Sequence, residues 1–277
     1  VSVRPDWSDG SELLGYTDIK GDFIEGKLTK LINHAIVHPE RPHFLLLDEM
    51  NLARVEYYFS DILSVMESRK IEDGEYTSSP LQSTDDETLH LPGNLYIIGT
   101  VNMDETTHPF SKKVLDRANT IEFNEIDLNT FGFLQQQHQI EPLHVANESL
   151  QANYIQLPAI YEEHSALVQM VSQQLTSINV ILKEIHAQVG YRVRDEICFY
   201  MAHNVEGDML LTEDEALDFC YMQKILPRIA GSGLRVEKVL EQLVEFMQTR
   251  HLPRSQAKLE EMQRRLKEDE FTSFWIS

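Results

Sequence analysis

Residues 44–51 (FLLLDEMN) constrain the fold more than any other stretch of the chain. Four apolar residues run directly into two adjacent carboxylates, Asp48 and Glu49, and the pattern after them predicts an amphipathic helix. This order is typical of a buried parallel strand that presents acidic groups at its C-terminal end. In open α/β sheets, ligands bind at that end of the strands. The sequence therefore predicts an α/β fold with a site built around Asp48 and Glu49.

A second predicted strand, residues 95–101 (LYIIGTV), also ends in polar residues. Asn102, Met103 and Asp104 follow it directly, and Arg117 lies in the next predicted helix. A nucleoside triphosphatase needs a magnesium ligand, a base that activates water, a polar sensor of the γ-phosphate and a cation for the transition state. The two acids, the Asn and the Arg are side chains of these four kinds.

Each of these residues has a predicted role and a simpler alternative. Asp48 would hold Mg²⁺, which prefers oxygen ligands, and Glu49 would polarise the attacking water. Asn102 would contact the γ-phosphate or that water, and Arg117 would enter a neighbouring subunit as an arginine finger. Alternatively, the acids cap the following helix, Asn102 is a turn residue and Arg117 forms a surface salt bridge.

The chain divides into an alternating α/β part, residues 1–130, and a helical part, residues 131–277. In the first part we expect a helix over about 52–69, a hairpin or loop over 70–94 and a short strand over 120–123. In the second part, the helices expected from apolar spacing cover 162–189, 194–203, 213–225, 236–247 and 254–267, with a loop over 227–233.

Composition excludes some functions. The formal net charge of −21 opposes direct nucleic-acid binding, which requires an excess of Lys and Arg. No apolar run approaches the roughly 18–20 residues that span a bilayer. Cys198 and Cys220 are read as reduced core thiols, so we expect a cytoplasmic protein without membrane contact.

The motifs together resemble those of AAA+ ATPases, and in particular the McrB-like GTPase subunits of modification-dependent restriction systems and their dynein- and MoxR-related cousins. Residues 47–53 (LDEMNLA) are similar to the Walker B strand and its extension, 99–104 (GTVNMD) to the first sensor, and 115–117 (LDR) to the arginine-finger region. Residues 190–197 (GYRVRDEI) resemble the second-sensor helix, and 223–228 (QKILPR) resemble a segment that often follows it.

The resemblance implies a P-loop NTPase (AAA+) three-layer sheet followed by an all-α lid. It also implies a homo-oligomeric ring, such as a hexamer, that binds Mg²⁺ and ATP or GTP at subunit interfaces, with a McrC-like nuclease as a possible partner. Asn102, Arg192 and Arg194 become nucleotide-binding residues, and either arginine could be the second sensor.

One departure limits this interpretation. The phosphate loop of the family, G-x-x-x-x-G-K-[ST], does not occur in the 277 residues. Residues 21–27 (GDFIEGK) have the Gly and Lys spacing, but Leu28 stands where Ser or Thr is required. We therefore expect an N-terminally truncated NTPase module. The alternative is a non-catalytic AAA+ subunit that supplies Arg117 and the lid to a neighbour.

Overall fold

The computed structural model describes residues 1–72, 74–83, 88–103, 107–123, 128 and 143–275. The first part of the chain alternates short helices and strands, as expected. These elements are α1 (Ser11–Leu14), β1 (Gly15–Thr17), β2 (Phe23–Glu25), α2 (Lys27–Val37), β3 (His43–Leu47), α3 (Val55–Tyr58), α4 (Ser60–Glu67), β4 (Lys70–Glu72), β5 (Glu75–Thr77), β6 (Gln82–Ser83), β7 (Thr88–Leu89), β8 (Leu95–Gly99) and α5 (Lys112–Leu115).

The two strands that carry the polar motifs, β3 and β8, pair in parallel, with His43 opposite Leu95 and Leu47 opposite Gly99. The N-terminal residues lie along the other side of β3, where the amide of Val3 donates to the carbonyl of Asp48 at 3.0 Å. Both predicted strands are therefore confirmed. Because they run in the same direction, their C-terminal ends lie at one edge.

The sheet differs from the expected one in two ways. Strand β3 is buried on one face only, because Phe44 and Leu46 are about half exposed while their neighbours are buried. The other strands of the described chain form four separate antiparallel pairs, so a three-layer P-loop sheet is not seen. The segment expected to be a hairpin or loop, 70–94, contains two antiparallel strand pairs, β4–β5 and β6–β7.

The strand predicted over residues 120–123 is wrong. Among the described residues this segment has no ladder partner, and the amide of Thr120 donates instead to the carbonyl of Gln223 at 3.2 Å. Glu122 pairs with Lys258 at 2.7 Å. The segment therefore lies against the helices of the C-terminal part. The helix predicted over 52–69 is also broken, since Phe59 leaves helical geometry between α3 and α4 (φ −110°, ψ 9°).

The C-terminal part is helical, as expected. Its elements are α6 (Pro158–Leu182), α7 (Tyr191–Glu206), α8 (Glu213–Lys224), β9 (Ala230–Ser232), α9 (Leu234–Thr249), α10 (Pro253–Asp269) and β10 (Phe271–Ser273). Strand β9 falls in the expected loop and pairs with β10, which the sequence did not predict. Helix α6 begins with Pro158 at its first turn and ends seven residues before the predicted end, at Leu182.

Apolar side chains form two separate clusters. One is built from residues between Val3 and Val114, and the other from residues between Ile160 and Phe274. Cys198 and Cys220 are free thiols buried in the second cluster, and burial raises the pKa of each to about 12. The predicted boundary at residue 130 lies outside the described residues and stays a prediction. No helix in the described ranges is long and apolar enough to cross a bilayer.

Candidate functional site

Thr100 joins the two acidic residues at the sheet edge. Its hydroxyl donates to Asp48 Oδ1 at 2.9 Å and accepts from the amide of Glu49 at 2.9 Å. Its own amide and carbonyl continue the ladder to Leu47 and Met50, both at 2.9 Å. Asp48 and Glu49 are exposed at this edge. The chain thus fixes their backbone through Thr100 while leaving their carboxylates accessible.

Glu49 adopts a left-handed backbone conformation, with φ 52° and ψ 51°. This conformation is uncommon for a residue with a Cβ and costs free energy, so it persists only where neighbours enforce it. The enforcing contacts here are the hydrogen bonds of Glu49 and Met50 to Thr100. The turn directs the Glu49 side chain to solvent at the end of the strand rather than into the following helix.

Gly99 permits the close packing behind this turn. A Cβ at Gly99 would lie 2.3 Å from the sulfur of Met50, so any other residue would displace that side chain. The Tyr58 hydroxyl donates to the Met50 carbonyl at 2.9 Å, which ties the turn to α3. Gly99 and Tyr58 therefore support the backbone that carries the two acids.

Asn51 connects the acidic turn to the end of β8. Its side chain is fully buried, and its amide donates to the carbonyl of Asn102 at 3.0 Å. The carbonyl of Asn51 accepts from the amide of His108 at 2.9 Å. The Asn102 side chain is exposed at the same edge as Asp48 and Glu49. Asp104, the last residue of the predicted sensor motif, lies outside the described residues.

Arg117 lies inside the molecule in this structure. Its side chain is 6% exposed, and its Nη2 lies 2.8 Å from Glu67 Oε1 at the end of α4. The guanidinium also donates to the carbonyls of Leu63 at 3.0 Å and Lys113 at 2.5 Å. Burial lowers the pKa of Arg117, and the nearby charge of Arg192 acts in the same direction.

Arg192 reaches the same carboxylate from the helical part and donates to Glu67 Oε1. The hydrogen bond from Arg192 is the main reason that the pKa of Glu67 lies below its usual value. Arg194 is directed elsewhere, pairing with Asp195 at 2.6 Å and lying over the Tyr191 ring at 5.0 Å. Of the two candidate second-sensor residues, only Arg192 therefore contacts the first part of the chain through Glu67.

Five of the six predicted site residues fall into two groups, and Arg194 belongs to neither. Asp48, Glu49 and Asn102 share the sheet edge, whereas Arg117 and Arg192 meet at Glu67. Sequence reasoning identified these five residues but not the residues that connect them, namely Thr100 and Glu67. Thr100 lies inside the predicted strand but directly follows the observed strand β8, and its place near the strand end was the available signal. Glu67 gave no signal, because it is an ordinary helical acid in the sequence.

Two comparisons relate the chain to known proteins. Residues 139–271 match the model of a domain of unknown function (DUF8727). Over 106 residues the chain is 32% identical to the type IV methyl-directed restriction enzyme EcoKMcrB subunit of Escherichia coli (strain K12). The match covers 38% of this chain and 22% of that protein, so the chain spans about a fifth of the length of this relative. The similarity supports a McrB-like relationship in part of the chain.

Proposed function

We propose that this chain is the hydrolysis-site part of a McrB-like AAA+ NTPase that works in a ring. The observation that carries the proposal is the sheet edge, where Asp48 and Glu49 follow one parallel strand and Thr100 and Asn102 follow its neighbour. The identity to a restriction enzyme subunit supports the same assignment. In this proposal the substrate is GTP or ATP, and a McrC-like nuclease is the partner.

The edge suits a magnesium ion chemically. Asp48 Oδ1 accepts the Thr100 hydroxyl, while Oδ2 accepts no hydrogen bond from the described part of the chain and is free to face a cation. Mg²⁺ prefers such oxygen ligands and keeps several waters. Asp48 would hold the ion, with the Thr100 hydroxyl orienting the carboxylate. When bound, Mg²⁺ would neutralise phosphate charge.

The remaining roles belong to side chains of this chain. Glu49 would accept a hydrogen bond from the attacking water and take its proton. Asn102, exposed beside it, would orient the γ-phosphate or that water. Arg117 and Arg192 would neutralise charge on the phosphates once released from Glu67, because both guanidinium groups are occupied by that carboxylate in this structure.

The test is a Glu49→Gln substitution in the natural protein that contains this chain. We expect NTP turnover to fall by about 100-fold or more, since general-base catalysis contributes roughly that factor, with nucleotide affinity nearly unchanged. Glu56→Gln, on the neighbouring helix α3, is the matched control and should turn over nucleotide like the wild type. Unchanged turnover in Glu49→Gln would refute the proposed base, and a wild-type protein without turnover would favour the non-catalytic alternative.

A further inference from the structure

A cavity of about 660 Å³ lies between the end of α4, strand β5 and helices α7 and α8. Its volume falls within the range of roughly 300–1,000 Å³ that is usual for small-molecule sites. The walls come from both parts of the chain. Glu67, Arg69 and Arg117 line one side, and Arg192 and Tyr154 line the other.

Arg69 is the unusual residue in this cavity. Within the described chain it forms no ion pair and no side-chain hydrogen bond, and its Nε is buried without a partner. Its guanidinium lies over the Tyr76 ring at 5.5 Å from the ring centre. Burial lowers the pKa of Arg69, as expected for a cation withdrawn from water. A partly buried cation without an acid is costly, so a ligand anion would stabilise it.

The other charges of the cavity do not compensate for Arg69. Lys224 pairs with Glu196, and Asp195 pairs with Arg194. Among the described residues of the lining, the groups that remain are the guanidinium groups of Arg69, Arg117 and Arg192 against the carboxylate of Glu67. This is an excess of two positive charges, in a chain whose net charge is −21. Such a concentration of cations against the general charge of the molecule favours a doubly charged anion.

The uncharged part of the lining suits an aromatic group. Tyr76, Tyr154, Phe199 and Tyr200 contribute rings to the walls, together with the apolar side chains of Ile155 and Ile197. Aromatic rings pack favourably against one another in offset or edge-to-face arrangements. A ligand that fills the cavity would therefore place an anion near Arg69 and a ring among these side chains.

We propose that this cavity binds a phosphate monoester that carries an aromatic group, with Arg69 as the anchor of the phosphate. A phosphate monoester carries close to two negative charges at neutral pH, and the guanidinium fork binds it through two parallel hydrogen bonds. Glu67 is the internal competitor, because its carboxylate holds Arg117 and Arg192 when no ligand is present. The cavity shares Arg117 and Arg192 with the proposed hydrolysis site, whereas Arg69 belongs to the cavity alone, so an Arg69 variant tests the cavity separately.

The test is calorimetric titration of the whole protein with phenyl phosphate, with benzyl alcohol as the uncharged probe. Arg69→Gln should weaken phenyl phosphate binding by about 10-fold or more, the effect of one charge-assisted hydrogen bond. Lys70→Gln, which removes the neighbouring exposed cation, should leave the affinity unchanged. Glu67→Gln should strengthen binding several-fold, because it releases two arginines. Glu49→Gln, at the other site, should bind phenyl phosphate as the wild type does.

Arg69→Gln and Glu67→Gln are expected to change the affinity for phenyl phosphate in opposite directions. The proposal therefore stays testable even if one variant folds poorly. Circular dichroism melting confirms that each variant is folded before titration. No binding of phenyl phosphate by the wild type would overturn the proposal. Equal affinity in wild type, Arg69→Gln and Glu67→Gln would also overturn it, since the phosphate would then bind elsewhere. Equal affinity for benzyl alcohol would refute the role of the charge.

Discussion

Glu49 combines an exposed side chain with an unfavourable backbone conformation. Its φ of 52° suits glycine, and its carboxylate makes no contact within the described chain that would compensate for the strain. A residue that gains no stability from its position is typical of a functional site, where neighbours maintain strain for the sake of chemistry. Five other described residues with a Cβ also have positive φ, so the backbone conformation gains meaning at Glu49 from its position beside Asp48 at the strand end.

Glu49→Gly should therefore raise the free energy of unfolding, by about 1 kcal/mol or less, because glycine adopts φ > 0 without a steric cost but loses more entropy on folding. Urea unfolding measures the change. Glu56→Gly, within helix α3, is the matched control and should lower stability by about 1 kcal/mol. A loss of stability in Glu49→Gly would mean that its side chain, and not its backbone, matters for folding.

Unlike Glu49, Asn51 has a fully buried side chain with a hydrogen-bond partner. It connects the turn to the segment after β8 through the carbonyl of Asn102. Asn51→Ala should lower the free energy of unfolding by about 1–3 kcal/mol, because the carbonyl of Asn102 loses a buried donor. Chemical denaturation checks this value. Asn33→Ala, which removes an exposed amide paired with Glu25, should change stability by less than about 0.5 kcal/mol. Equal effects of the two substitutions would contradict the positioning role of Asn51.

At the scale of elements, helix α4 ends in a carboxylate that links two parts of the chain. Glu67 holds Arg117 of the first part and Arg192 of the helical part, and its pKa lies below the usual value of 4.5. A lowered folded-state pKa means that the ion pairs stabilise the fold fully above about pH 4.5. The contribution is lost as pH falls through the folded pKa, when the carboxyl binds a proton.

Wild type should thus have a higher free energy of unfolding than Glu67→Gln at pH 7. Because Glu67 is half exposed, the difference should be about 1 kcal/mol, and it should vanish in acid. Urea unfolding between pH 7 and pH 3 gives both curves. Glu56→Gln, an acid without an ion pair in the described part of the chain, should show no such convergence. A difference between wild type and Glu67→Gln that stays constant down to pH 3 would exclude the ionised carboxylate as its source.

The sequence was sufficient for elements with a strong local pattern. Strands β3 and β8 and the helices of the C-terminal part follow from apolar periodicity and from the positions of Gly and Pro. The strand predicted over 120–123 failed because alternation shows only that one face is apolar. Whether a strand forms depends on a partner, and here the backbone of Thr120 finds Gln223 of helix α8 instead. Pairs such as β9 and β10 join distant residues, so local patterns do not reveal them.

The candidate site could be predicted to a similar extent. The sheet edge follows from two strands that end in polar residues, because parallel strands align their ends. The cluster at Glu67 could not be predicted, since Glu67 and Arg192 are separated by 125 positions. Only the packing of helix α7 against the first part brings them together. Arg69 was missed for the same reason, because an unpaired cation is defined by its surroundings and not by its motif.

At the scale of the whole molecule, three ion pairs among the described residues join the two parts, and in each the helical part supplies the cation. Arg192, Arg228 and Lys258 of the helical part supply the cations, and Glu67, Asp116 and Glu122 of the first part supply the acids. Arg228 and Lys258 are almost fully buried. Because buried charges without partners are costly, these pairs specify one relative arrangement of the two parts more than they add stability.

The Arg228–Asp116 pair allows a direct test of this interpretation. Asp116→Asn should lower the free energy of unfolding by about 3 kcal/mol, because it leaves the guanidinium of Arg228, 2% exposed, without its acid. Arg228→Met should cost less, since Asp116 is partly exposed and regains water. The double variant should then lose less than the sum of both, with a coupling energy of about 1–3 kcal/mol in a double-mutant cycle from urea unfolding.

The exposed pair Lys70–Glu72, within the hairpin of β4 and β5, is the matched control for this cycle. Its coupling energy should be below about 1 kcal/mol, because solvent screens both charges. Strictly additive effects of Asp116→Asn and Arg228→Met would contradict the interpretation, since Arg228 and Asp116 would then contribute no coupled charge interaction between the two parts. A coupling energy well above the control instead means that the arrangement of the helical part on the α/β part, and with it the Glu67 cluster, depends on complementary charge.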